Sequence, residues 1–361
     1  MFYSNNVTEN GYFAARRKKA GAAAKTGCAM TKRGRLALVL ALGLMLAALC
    51  GCAAQKKTEE FFSMDTVMQL TVYGRGAAGA IEAAEDAIYG LDAKLSAQNE
   101  ASELAALNRG GQCRDEQTLA ILARALEIAA QTDGAYDPSV YPLMKLWGFG
   151  TEQAHVPQRE EISAALEKTG YEKLPAVSAS YALPAGMAVD FGGIGKGAAG
   201  AQARAVLQAC GVRSAVLSLG GNVTLLGSKP DGTDWTIGLQ SPSGAGCFGY
   251  VRASDVSVVT SGGYQRYFEE NGRRYWHILN PETGYPAETG LASVTIVSRD
   301  DVLADGLSTA LFVMGLDRAA EHWRGRGDYE AVFLLESGEI FVTQGLAERF
   351  ESEQSFEVIR R

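Results

Sequence analysis

The segment Asp301 to Met314, closed by Gly315, limits the fold more than any other part of the chain. Leu303, Leu307, Ala310, Leu311 and Met314 recur at helical spacing and make one apolar stripe. Val302, Phe312 and Val313 make the opposite side apolar too, so the helix is predicted to be buried nearly all round. Ser298 with Asp301 is the predicted N-terminal cap, and Gly315 the stop. Asp305, Ser308 and Thr309 interrupt this surface at i, i+3 and i+4, all on one face. A buried carboxylate is unfavourable unless a cation or hydrogen-bond donors meet it. Two readings stay open: oxygen ligands for a hard cation such as magnesium, or an aspartate held by backbone amides or an arginine.

Strands and helices are mixed around this helix, which predicts an α+β class. Thr66 to Tyr73 alternates like a strand, and Gly79 to Leu95 and Glu116 to Thr132 carry Ala and Leu at helical intervals. Met187 to Phe191 reads as a short apolar strand, Ala198 to Cys210 as a helix stopped by Gly211, and Ser214 to Leu219 as another strand. Arg274 to Leu279 is strand-like before the turn Asn280 to Gly284. Ala331 to Leu335 and Glu339 to Thr343 flank Ser337-Gly338 as a hairpin.

Between the 187–191 segment and the helix after it lies the loop Gly192-Gly193-Ile194-Gly195-Lys196-Gly197. Glycines let backbone approach a ligand closely, and a helix start offers free N–H groups and a positive dipole end to a phosphate. Lys196 adds a full charge. The loop is not a P-loop, because Asp190 stands at the first glycine position and Gly197 follows the lysine. It matches GxGxxG at Gly195, Gly197 and Gly200, without the acidic residue that a ribose contact needs about 20 residues on. A tight turn with no ligand is the competing reading.

His277 is one of three histidines, with His155 and His322, so a histidine-built metal site is not expected. A neutral imidazole at that place could act as general base for a hydroxyl nucleophile, or be structural. The clusters Thr260-Ser261-Gly262-Gly263-Tyr264 and Ala135-Tyr136-Asp137-Pro138 read as turns by themselves.

Charge is uneven. Residues 1–60 hold ten of the 34 Lys/Arg but three of the 41 Asp/Glu, which leaves the remainder at a net of −14. Such an acidic body repels phosphate backbones, so nucleic-acid binding is not expected. Lys32, Arg33 and Arg35 precede an apolar run of 14 residues, Leu36 to Leu49, and then Cys50-Gly51-Cys52. That run is shorter than the roughly 20 residues a membrane-spanning helix takes, and the pattern is that of a signal peptide, with a plain membrane-anchor helix as the competing reading. Leu49-Cys50-Gly51-Cys52 resembles a bacterial lipobox, with Cys52 as the lipidated residue. A lipoprotein signal over 30–51 is therefore expected, with residues 1–29 an extension ahead of the true start at Met30. A polar tether over 52–60, one body over 61–350 and a tail over 351–361 follow. Cys113, Cys210 and Cys247 then remain, an odd set without CxxC spacing, read as buried structural thiols rather than a zinc site or disulfides.

The ordered pieces resemble one family, the ApbE-like FAD:protein FMN transferases. They are MDT at 64–66, LSAQNEASELAALN at 95–108, GAYDPSVYPLMKLWGFG at 134–150, VDFGGIGKG at 189–197 and LGGN at 219–222. TSGGYQRYF at 260–268, HILNPETG at 277–284 and ADGLSTALFVMG at 304–315 complete them. The resemblance implies a T-fold-like single catalytic domain that holds FAD in a cleft and moves FMN to a protein Thr or Ser hydroxyl, with release of AMP. It places Met64, Ala135, Tyr136, Asp137, Asp190, Lys196, His277 and Ile278 beside FAD. It gives magnesium the Gly193 carbonyl, Asp305 and Thr309, with Ser308 alongside. His277 is implied as base, with Lys196 facing the phosphates. It also implies an acceptor that is a membrane-associated or secreted redox flavoprotein, met outside the cytoplasm. One departure is Gln98, where the family often has a tyrosine that packs on FAD. An FAD pyrophosphatase, with water as nucleophile, and a non-catalytic flavin-binding lipoprotein are the alternatives.

Overall fold

The computed structural model describes residues 55–361. The signal segment, the residues before it and Cys52 lie outside the described residues. Among the described residues fourteen strands and seven α-helices follow in mixed order. A nine-stranded sheet runs β1 (Lys56–Ser63), β2 (Thr66–Tyr73), β3 (Ser214–Leu219), β4 (Asn222–Leu226), β7 (Ser257–Gly262), β10 (Leu291–Ser298), β11 (Tyr329–Leu335), β12 (Ile340–Thr343) and β14 (Phe356–Ile359). All neighbours are antiparallel except β12 and β14, which run parallel. Chain order thus jumps from β4 to β7, from β7 to β10 and from β12 to β14. The excursions hold a second sheet of β5 (Trp235–Gln240), β6 (Cys247–Ala253) and β13 (Phe350–Glu351), and a hairpin of β8 (Tyr267–Glu270) and β9 (Arg273–Trp276).

The central strands are buried on both faces. In β10, Val294 and Ile296 join the core beneath the helices, while Val297 joins the core shared with β5 and β6. In β11, Ala331 and Phe333 face one way and Val332 and Leu334 the other. The large sheet is therefore a middle layer, and each fully buried Leu or Ile contributes roughly 1.5–3 kcal/mol.

Three helices cover the first face. α1 (Ala77–Leu95) buries Ala80, Ile81, Ala84, Ile88 and Leu91 at helical spacing. α6 (Gly195–Ala209) buries small residues nearly all round its start, Gly197, Ala198, Ala199 and Gly200, with Gly197 and Gly200 on one face. α7 (Asp301–Arg324) packs against that face. A methyl at Gly197 would stand 2.8 Å from Asp305 Cβ, so the glycine is required by the closeness of the two helices. Smaller helices are α2 (Glu103–Asn108), α3 (Glu116–Gln131), α4 (Tyr141–Trp147) and α5 (Arg159–Leu166).

The predicted α+β class holds, and several boundaries move. α7 is buried as expected and breaks at Gly315, whose φ of 77° ends the helical path before a further stretch to Arg324. Its cap is Asp300, whose carboxylate accepts from the Leu303 amide, whereas the Ser298 hydroxyl bonds to the Asp328 carbonyl. The tether assigned to 52–60 is wrong from Lys56 onward, because residues 56–63 pair with β2 along their whole length. The C-terminal tail likewise contains β14. Met187 to Phe191 forms no strand. Strand structure from Arg274 stops at Trp276, with an isolated bridge from Leu279 to Pro286. Of the three body cysteines only Cys113 is buried; Cys210 and Cys247 are exposed.

Candidate active site

The glycine loop is shaped from outside itself. Asn108, at the end of α2, donates from Nδ2 to the Val189 carbonyl and accepts the Val189 amide at Oδ1, each at 2.8 Å. The Asp190 amide bonds to the Pro138 carbonyl at 2.8 Å. These contacts replace strand pairing, which is why 187–191 needs no neighbour in a sheet. Asp190 Oδ1 accepts from the Gly192 amide at 2.6 Å. Burial pushes the Asp190 carboxyl up, opposed by that amide and by the cations Arg266 and Lys196.

The first turn of α6 differs from the expectation of free amides. The Gly195 N–H reaches the Phe191 carbonyl at 2.6 Å, and the Gly197 N–H reaches Asp305 Oδ2 at 2.8 Å. The helix start thus already grips a carboxylate, and Lys196 stands beside it as the positive side chain of this turn. Its Nζ lies 4.0 Å from Asp305 Oδ1. Residues 193 and 305, distant in sequence, share this place. A Cβ on Gly193 would come within 2.9 Å of the Tyr136 ring and 3.6 Å of Thr309 Oγ1.

Asp305 is 3% exposed, and burial raises its pKa against Lys196, Asn222 and the α6 amides. The Asn222 amide lies close enough to hold that value down, yet its Nδ2 makes no hydrogen bond within geometric limits. Among the described residues the buried Tyr136 hydroxyl also lacks a partner, and burial with the nearby Asp190, Asp305 and Asp137 carboxylates pushes its pKa well up. Unpartnered polar atoms around a buried carboxylate suit a bound ligand. Ser308 is fully buried and donates to the Asp305 carbonyl at 2.8 Å. Ser261, on β7, stands 2.7 Å from Ser308 Oγ and 3.4 Å from Thr309 Oγ1.

His277 is half-buried after β9. Its Nδ1 lies 3.1 Å from the Arg266 carbonyl, which can only accept, so the proton is on Nδ1 and Nε2 carries the lone pair. Burial, with Arg266 and Lys196 nearby, lowers its pKa to about 4, so the ring is neutral at physiological pH. Arg266 also bonds to the Asp65 carbonyl at 3.4 Å, which ties this loop to the β1–β2 hairpin. Met64 and Asp65 form that hairpin's two-residue turn with φ of 49° and 57°. Such a turn favours Asn and Gly, and two other residues held there store strain at a predicted FAD contact. Asp92 supports it, accepting the Met64 amide at 2.9 Å.

The other predicted contacts face inward. Asp137 gives Oδ1 to the Ser139 amide and hydroxyl and Oδ2 to the Tyr171 amide, so both oxygens are engaged by the chain itself. Ala135 and Ile278 are buried. Asn108, Asn222, Ser261 and Arg266 received no role from the sequence, although each lies within a recognised motif. Among the described residues no group of three or more His, Cys, Asp or Glu side chains converges. One carboxylate among hydroxyls and carbonyls remains as the donor set, which suits a hard cation and not zinc. Two open surface hollows, around Arg213 and Asp255 and around Lys94 and Asp115, contain none of these residues.

The model of the ApbE family matches residues 64–333. The chain belongs to the ApbE family. It is similar to the FAD:protein FMN transferase of Treponema pallidum (strain Nichols), 31% identical over 341 residues, covering 85% of this chain and 94% of that protein. It is also similar to the FAD:protein FMN transferase of Klebsiella pneumoniae (strain 342), 35% identical over 223 residues, 60% of this chain and 69% of that one. The crystal structure of the ApbE protein of Thermotoga maritima superposes with a TM-score of 0.77 at 33% identity, over 82% of this chain and 99% of the other. The apo flavinyl transferase ApbE of Pseudomonas stutzeri gives 0.73 at 30% identity, over 82% and 97%. The ApbE-family match spans every residue of the cluster above.

Proposed function

We propose that this ApbE-family chain is an FAD:protein FMN transferase that moves FMN from FAD to a Thr or Ser hydroxyl of an acceptor flavoprotein. The observation that carries the reading is the 2.8 Å bond from Gly197 to Asp305, which locks the start of α6 and Lys196 onto the buried carboxylate of α7. Asp305, the Gly193 carbonyl and the Thr309 hydroxyl would hold magnesium, with Ser308 beside them. Bound there, the metal would neutralise charge on the pyrophosphate as AMP leaves.

The chain's own groups do the rest. Lys196 and Arg266 draw the phosphates to the loop, and Asp190 and the strained Met64 turn fix the orientation of the dinucleotide. The acceptor oxygen attacks the FMN-side phosphorus, the bond to the AMP oxygen breaks, and a phosphoester forms. His277 Nε2 takes the hydroxyl proton. Near pKa 4 it is a weak base at rest, and phosphates arriving among Lys196 and Arg266 offset the cations that help hold it down.

We also infer that the enzyme works outside the cytoplasm, anchored through lipid on Cys52. Three residues separate that cysteine from β1, which would keep the site close to membrane-associated acceptors. Cys52→Ser should release the protein from membranes; retention there would remove the anchor.

The deciding experiment mixes the protein with FAD, magnesium and an acceptor flavoprotein and weighs the acceptor. Gain of one FMN with equimolar AMP is expected. Rapid multiple-turnover release of FMN and AMP with no acceptor gain would instead identify an FAD pyrophosphatase.

A further inference from the structure

Three hydroxyls on two elements meet behind Asp305, and their protons can be counted. Each serine or threonine hydroxyl has one proton to give and lone pairs to receive with. Ser308 is 2.8 Å from the Asp305 carbonyl, which can only accept, so the Ser308 proton points there. The 2.7 Å contact between Ser261 and Ser308 must then be donated by Ser261. With the Ser261 proton so directed, its 3.4 Å contact with Thr309 can only be donated by Thr309. That last contact is long for a hydroxyl pair, so it sets a preferred direction for the Thr309 proton rather than a full bond.

We propose that Ser261 is a positioning residue which, through this one-way chain of hydroxyls, turns the Thr309 lone pairs toward the cation held by Asp305. The inference rests on the metal-binding reading above. A cation takes a lone pair and is repelled by a hydroxyl proton, so a ligand with its proton held behind it binds better than a free rotor. Ser308 then acts as the fixed end of the chain. It is fully buried, with its hydroxyl engaged as donor and acceptor, whereas Thr309 is partly exposed beside Gly193. Ser261 is placed for the task by β7, whose pairing with β10 fixes Ser261 opposite Val294.

The test uses the full chain and Mn²⁺ alone, titrated by electron paramagnetic resonance without FAD, so flavin transfer does not enter the readout. Ser261→Ala should weaken Mn²⁺ binding about tenfold, the lower end for loss of a group that orients a ligand. Ser261→Thr, which keeps a hydroxyl, should recover most of it. Thr295→Val is the control. It removes the 2.8 Å Thr260–Thr295 hydroxyl pair one register step away and should leave Mn²⁺ affinity within twofold of the parent. Unchanged affinity in Ser261→Ala, or an equal loss in Thr295→Val, would overturn the positioning role while leaving the metal site intact. A parent chain that binds no Mn²⁺ would overturn this inference and the metal-dependent reading together. Should Ser261→Ala fail to fold, Ser261→Thr decides: it folds with near-parent affinity under the proposal, and a tenfold loss there counts against it.

Discussion

Two aspartates one turn apart on α7 have opposite fates. Asp301 and Asp305 are 5% and 3% exposed, so burial does not distinguish them. Asp301 is met by its own fold: Thr224 donates at 2.7 Å, Arg204 stands at 3.3 Å, and Ser257 donates as well. Asp305 receives the Gly197 amide, while Lys196 stops at 4.0 Å and the Tyr136 hydroxyl and Asn222 amide nearby stay unpartnered. The difference lies in α6, which sends Arg204 to within 3.3 Å of one carboxylate, and the Gly197 amide with Lys196 at 4.0 Å to the other. Where the protein completes the set of close partners the aspartate is structural. Where the nearest cation stands off at 4.0 Å and polar atoms nearby stay unpartnered, a ligand must complete the set.

The largest expected effect breaks the second half of that contrast. Asp305→Ala should lower FMN transfer by at least about 10³-fold, since metal stabilisation of developing charge is worth several kcal/mol and 1.36 kcal/mol is a factor of ten. Metal-free stability should hold or rise, because an ionised carboxylate disfavoured by burial is removed. Initial rates and thermal unfolding in chelator check both. Retention of the magnesium dependence would equate the two aspartates.

Asp301→Ala addresses the other half and should act on folding. Removing one partner of a buried ion pair leaves the Arg204 charge, 12% exposed, uncompensated, at about 3–5 kcal/mol. Denaturant unfolding reads that loss, and the rate per folded molecule should stay near the parent's. A variant that folds normally and loses transfer would mean Asp301 belongs to the chemistry.

His277→Ala should reduce transfer by about 10²-fold, the low end for a general base because a pKa near 4 makes a weak one, with FAD binding retained. Its folded pKa lies below the ordinary 6.5, so between those values the unfolded chain binds more protons. Stability due to the neutral ring is full above 6.5 and is lost as pH falls through about 4. The parent's rate should rise through the acid limb and show no His277-linked step between about pH 6 and 8. An acid limb left in place by His277→Ala would assign it elsewhere.

How far the sequence showed this contrast depends on which partners are local. Asp305, Ser308 and Thr309 were visible as a polar notch on an apolar helix, and Gly315 as its stop, because both signals lie within a few residues. Asp301 looked like a cap, because its partners Arg204, Thr224 and Ser257 are 97, 77 and 44 residues away. Lys56 to Glu60 read as a tether since it has no apolar alternation. An edge strand with an open face accepts Lys and Glu, and such charges protect it from pairing with other chains. Ser261 read as a turn because nothing in TSGGY reveals the helix it will face.

The smallest expected effect concerns the loop that leads into α6, the helix whose residues meet both aspartates. Asn108 holds Val189 by both its amide and its carbonyl, and Val189 is fully buried, so those groups have no water to turn to. Asn108→Ala should cost about 1–3 kcal/mol, two hydrogen bonds with part of the desolvation left uncompensated. Because Asp190 and Gly192 follow directly, KM for FAD should rise severalfold while kcat changes less. Asn108→Asp keeps an acceptor for the Val189 amide and loses the donor to its carbonyl, so it should fall between parent and alanine. A variant with parental stability and KM would mean that the glycines hold the loop alone. The site would then owe its shape to α6 and α7, the same two helices that separate Asp301 from Asp305.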